Sequence, residues 1–249
     1  MIIKTTASGI AYGEGDSYPI LPDAPLLINL CSTARDGLED SYFGRIARLA
    51  GSLGFRTISI DLPCHGSKIL TGEKDGLQGW SDRFAAGSNP IAEIINELKL
   101  IVDELEISGL LKNRITVVSG TSRGGLLALL TVVNDPRLNY AIAFAPVTNL
   151  RYLKEFSALP TPTLPDKYNL HMHSKILTGR KIYLNIGNSD DRVSTASTID
   201  LASKIIKNAR EQDLPPQVEL HVNAIAGHTT TVDAHDQAFA WLKNEMLKI

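Results

Sequence analysis

Ser122, Asp190 and His228 are the side chains whose types and spacing could do chemistry together, and that chemistry would be nucleophilic attack by an alcohol. A serine hydroxyl is a poor nucleophile until a base takes its proton. Imidazole can do so at neutral pH, and it needs a carboxylate to fix its tautomer and stabilise its charged form. Ser122 lies in Gly120-Thr-Ser-Arg-Gly124, a G-x-S-x-G pattern, with a β-branched run from Ile115 before it and the helix-forming run Leu126 to Leu130 after it. In a strand, turn and helix this pattern holds the serine in a strained conformation with its hydroxyl outward. Glycine is required two residues to either side, where strand and helix approach too closely for a Cβ. Of the six histidines, His228 opens the loop after the last predicted strand, residues 217–222. His65, His171, His173, His221 and His235 read as structural or solvated. Asp190 and Asp191 both follow a predicted strand at 180–186 closely enough to supply the acid.

Positioning these groups requires a sheet whose strand ends converge. Leu26 to Leu30, Phe55 to Ile60, Ile115 to Gly120, Tyr140 to Phe144 and Arg180 to Ile186 are short apolar runs of the kind buried on both faces. Helical spacing separates them: Leu38, Tyr42, Ile46, Leu49 and Leu53; then Ile91 to Leu105 after the Asn89-Pro90 start; then the run after Ser122, and residues 195–209 and 231–247. Residues 2–13 suggest a short antiparallel start. Residues 66–75 read as a surface excursion, and 147–178 as a short helix followed by an irregular cover. Strand and helix alternate, so the expectation is an α/β fold: one domain over residues 1–249, with a mostly parallel sheet, helices on both faces, and a ligand site outside the carboxyl ends of the strands.

Composition narrows the function further. A formal charge of −2 gives no basic surface for nucleic acid, and no apolar run reaches the length of a membrane span. The start Met1-Ile-Ile-Lys lacks the blocks of a signal peptide, and two cysteines, Cys31 and Cys64, are no disulfide framework. The expectation is a cytoplasmic protein with free thiols, needing neither nucleic acid nor membrane as partner, and open to forming a homo-oligomer. If both thiols end adjacent strands, they meet at the rim of the site.

The order Ser122, Asp190, His228, together with Asp61-x-Pro-x-His-Gly66 and Gly187-x-x-Asp-x-x-Val193, resembles the α/β-hydrolases over nearly the whole chain. Within them, Ser122-Arg-Gly-Gly125 and Asp190-Asp-Arg-Val193 look most like prolyl-oligopeptidase-type and dienelactone-hydrolase-type catalytic domains. The resemblance implies an α/β-hydrolase fold with only short cap segments, Asp190 as acid ahead of Asp191, and the Arg123 N–H as one oxyanion donor. The usual His-Gly after the first buried strand is replaced by Leu30-Cys31 or Cys31-Ser32, which leaves Ser32 and Thr33 as candidates for the second donor. An arginine at the place of Arg192 touches substrate in the peptidases, so Arg192, Trp80 and Cys31 are candidate substrate contacts. Asp61 and His65 read first as a turn-stabilising element. No metal or organic cofactor is implied. The 249 residues leave no room for a peptidase's propeller, which favours hydrolysis of a small-molecule carboxylic ester. A peptidase or acyltransferase with the same triad, or an inert hydrolase-fold binding protein, are the alternatives.

Overall fold

The computed structural model describes residues 1–21, 23–111, 115–160, 163–215 and 217–247. Five apolar runs become the parallel strands β3 (Leu26–Leu30), β4 (Arg56–Ser59), β5 (Thr116–Thr121), β6 (Tyr140–Phe144) and β7 (Lys181–Ser189). A sixth, β8 (Val218–Ala226), closes one edge, and the antiparallel pair β1 (Ile2–Thr5) and β2 (Ala11–Glu14) closes the other. The sheet order is β1-β2-β4-β3-β5-β6-β7-β8. Pairing is parallel from β4 through to β8. The chain runs from β3 out to β4 and then returns to lay β5 on the other side of β3. That reversal opens a crevice at the carboxyl ends of β3 and β5, where α/β sheets bind ligands.

Strand side chains alternate between two cores. Leu26, Ile28 and Leu30 share one with α4 (Pro90–Ile107), α5 (Arg123–Asn134) and α7 (Thr195–Glu211). Leu27, Val117, Ile142 and Tyr183 share the other with α1 (Ala34–Glu39), α2 (Arg45–Ser52) and α8 (Ala234–Met246). The period of two in each strand thus places helices on both faces.

Two regions differ from the sequence reading. The single helix expected from Leu38 to Leu53 is broken into α1 and α2, because the Asp40 carboxylate accepts from the N–H groups of Tyr42 and Phe43, each at 2.8 Å. This local turn competes with the helix and wins. Trp80 and Phe84 lie on a helix, α3 (Gly76–Ala85), that the sequence reading did not define. The cover is a series of 3₁₀ turns ending in the short α6 (Ser174–Leu177).

One buried group of α8 bears on stability. His235 is 0% exposed, stacks on Phe144 with centroids 4.1 Å apart, and has no hydrogen-bond partner at either ring nitrogen. Burial, and secondarily the Arg45 charge, push its pKa down to about 4. The unfolded imidazole ionises near 6.5. Between these values the unfolded chain binds more protons, so this contribution is complete above pH 6.5 and is lost as pH falls toward 4. His235→Leu is therefore expected to flatten the acid limb of stability. Of roughly 3 kcal/mol in all, about 2 kcal/mol is lost by pH 5 in the wild type and retained in the variant. Urea unfolding at pH 7 and pH 5 reads this directly, and equal slopes for both proteins would refute it.

Candidate active site

Ser122 joins β5 to α5 with φ 57° and ψ −116°, outside the regions favourable to a residue with a Cβ. Such a conformation costs on the order of 1–3 kcal/mol and persists only where its surroundings enforce it. Here the Ser122 N–H donates to Phe144 O at 2.8 Å, and its carbonyl accepts from Leu126 and Val147, each at 3.1 Å. The flanking glycines are steric necessities. A Cβ on Gly124 would overlap the carbonyl oxygen of Leu30, and one on Gly120 would overlap that of Gly124.

Asp190 follows β7 and is 2% exposed. Its Oδ1 accepts from the N–H groups of Arg192 at 3.0 Å and Val193 at 3.1 Å, which leaves Oδ2 facing His228. His228 follows β8 through Gly227, whose φ is 78° and whose N–H donates to Ser189 O at 3.1 Å. The imidazole bridges the two: Nδ1 lies 2.8 Å from Asp190 Oδ2, and Nε2 lies 2.8 Å from Ser122 Oγ. Side chains 38 and 106 residues apart in sequence thus form one hydrogen-bonded chain across three strand ends. Asp191 is exposed, and Asp190 is the carboxylate in contact.

The hydroxyl opens into a cavity of about 320 Å³. Ser32, Cys31, Arg123, Arg192 and His228 line it, together with Tyr42 and Phe43 from the turn that splits the first helix, and Thr229 and Thr230 beyond the histidine. The Arg123 N–H is the first of α5, and N-terminal helical donors have no intrahelical partner. Ser32, just past β3, is the candidate for the second donor that faces the cavity, with its hydroxyl held by Asp36 at 2.5 Å. Thr33 does not suit the part given to it: it caps α1, and its own N–H is directed to Asp36 Oδ2 at 3.3 Å.

The other sequence candidates separate cleanly. Cys31 faces the cavity, but burial raises its thiol to about 11, so it is protonated at neutral pH. Arg192 also faces it, donating to Glu155 Oε1 at 2.7 Å. Trp80 belongs to the core instead: it is 0% exposed and donates from its indole to Pro63 O at 2.7 Å, because α3 turns it inward. Cys64 is buried beneath the same helix, against Gly79, rather than on the rim with Cys31. Asp61 stabilises its turn. Burial opposes its ionisation, yet donation from the Ala34 N–H and from the Ser67 N–H and hydroxyl, each at 2.8 Å, holds it below the ordinary carboxylate range.

A second serine, histidine and carboxylate also meet, with Ser197 Oγ 2.9 Å from His171 Nε2 and His171 Nδ1 3.2 Å from Asp200. Ser197, however, is buried within α7, and its hydroxyl already engages Thr148 at 2.6 Å. It has neither the strained turn nor the exposure of Ser122. Tyr42, Phe43, Leu77, Thr121, Ala145, Thr229 and Thr230 are the cavity residues that sequence reasoning missed. The signal for the first two was Asp40, whose carboxylate caps their turn.

Fold and site together define an α/β-hydrolase with a serine at its elbow. More narrowly, the chain belongs to the prolyl oligopeptidase family, whose model matches residues 78–248, and is a serine hydrolase. Comparison with curated protein sequences gives no match. Among solved structures, TT1662 from Thermus thermophilus superposes with a TM-score of 0.72 at 17% identity, covering 98% of each chain. The Pyrococcus furiosus esterase Pf2001 has a TM-score of 0.62 at 17% identity, covering 99% of this chain and 89% of that one. Porphyromonas gingivalis dipeptidyl peptidase 4 gives 0.63 at 15% identity, covering 98% of this chain but 35% of that one. At these identities the likeness is one of fold. Among the described residues no helix is long and apolar enough to cross a membrane.

Proposed function

We propose that the protein hydrolyses small carboxylic esters through an acyl-enzyme on Ser122. The observation that carries this is the strained Ser122 hydroxyl, 2.8 Å from His228 Nε2 and open to the cavity. Asp190 accepts from His228 Nδ1–H and so keeps Nε2 free to take the serine proton. Oγ attacks the ester carbonyl, and the developing oxyanion is met by the N–H of Arg123 and that of Ser32. Each such donor is worth about 2.7–4 kcal/mol of barrier. The imidazolium then protonates the departing alcohol. Water, activated by the same imidazole, releases the acid.

The preference for a small ester over a peptide rests on the cavity. Its volume lies at the lower end of the roughly 300–1,000 Å³ typical of ligand pockets. Among the described residues no carboxylate lines it to receive a peptide's amino terminus. The family name and the dipeptidyl peptidase neighbour favour the second reading, a peptidase. 4-Nitrophenyl butyrate and the 4-nitroanilide of the same acid, compared with aminoacyl 4-nitroanilides, separate the two. Turnover of the ester with little of any anilide is expected. Aminoacyl anilides cleaved at a similar kcat/KM would overturn the ester reading.

A further inference from the structure

We infer that the substrate of this site carries a free carboxylate, received by the guanidinium of Arg123. The inference rests on the serine hydrolase reading above and extends it to substrate class. Arg123 follows Ser122 directly and is one of the residues lining the same cavity. Its Nε is buried and has no hydrogen-bond partner, and among the described residues no carboxylate forms an ion pair with it. Asp75 and Glu155 are the carboxylates whose charge reaches it, while Arg192 opposes it. Glu155 is already bound to Arg192 at 2.7 Å. Among the described residues, the arginines lining the cavity are thus Arg123 and Arg192, the second engaged by Glu155, and no carboxylate lines it.

A buried N–H donor without an acceptor is costly, and an apolar residue of similar length would remove that cost. A buried donor left open at a ligand site calls for an acceptor brought by the ligand. A carboxylate fits best, since the planar fork of arginine matches its two oxygens. Desolvation and the neighbouring Arg192 charge both weigh against the protonated form of Arg123, and an incoming anion would relieve both. The N-terminal end of the 12-residue α5 adds positive potential on the same side.

The test uses half-esters of straight-chain dicarboxylic acids, from succinate to suberate, each paired with its neutral dimethyl ester. Titrated calorimetrically into Ser122→Ala, which cannot turn them over, at least one monomethyl ester is expected to bind about 10–100-fold more tightly than its diester. That preference is expected to disappear when Arg123→Met is added, to persist in part with Arg123→Lys, and to weaken in high salt. Equal affinities for every pair, or a preference unchanged by Arg123→Met, would overturn the inference. Failure of the hydrolase reading looks different: the Ser122-containing protein would bind the half-esters selectively and hydrolyse none of them.

Discussion

Ser122→Ala is expected to abolish covalent labelling by a fluorophosphonate and to lower kcat for ester hydrolysis by about 10⁴-fold or more. KM should change little, because the hydroxyl is one small part of the cavity wall. The size of the effect follows from the geometry: without Oγ, His228 Nε2 has no proton to take and no acyl-enzyme forms. What remains is the contribution of the N–H donors and of binding. Ser122→Gly should lose as much activity but differ in stability. Alanine keeps the Cβ that makes φ 57° unfavourable, whereas glycine releases strain of about 1–3 kcal/mol, offset by its roughly 0.5–1 kcal/mol entropic penalty. The glycine variant should therefore melt above the alanine variant in parallel thermal scans. Labelling that survives in Ser122→Ala would move the nucleophile elsewhere, and equal melting points would remove the argument for stored strain.

The parts of this molecule that were readable in the sequence are those enforced by strong local chemistry. Tyr140 to Phe144 announces a buried strand by an unbroken apolar run and Leu26 to Leu30 by one interrupted only at Asn29, and Gly120 and Gly124 are needed because a Cβ at either place would overlap a carbonyl oxygen. Ser122, Asp190 and His228 each lie just past a strand end, so alternation of elements was enough to gather them. The elements that escaped are settled by packing or by competition. On α3, Leu77, Trp80 and Phe84 carry a helical spacing, but Gly79 and the surrounding glycines and lysines suggest a loop. Gly79 is there because a Cβ would crowd Lys74 O and come within 2.8 Å of Cys64 Sγ. The break at Asp40 turns Tyr42, expected on the apolar face of a helix, into cavity wall beside Phe43. A backbone N–H has no side-chain signature, so the sequence makes Ser32 and Thr33 equivalent, and the contact of the Thr33 N–H with Asp36 separates them.

Asp190→Asn is expected to lower kcat by about 10⁴-fold while leaving the fold intact. Two separate demands on this carboxylate make the outcome specific. Oδ1 accepts from the N–H groups of Arg192 and Val193, so an asparagine must keep its carbonyl oxygen there or strand two donors. Its amide nitrogen then occupies the place of Oδ2, 2.8 Å from His228 Nδ1. A donor facing Nδ1 makes that nitrogen the acceptor and moves the imidazole proton to Nε2. There it points at Ser122 Oγ, and the base can no longer take the serine proton. Asp191→Asn, at an exposed position, should leave kcat within a factor of a few. The pair is read by esterase kinetics alongside urea unfolding. A large loss in Asp191→Asn, or near-normal turnover in Asp190→Asn with an unchanged midpoint, would show that the imidazole is not oriented by the carboxylate it touches.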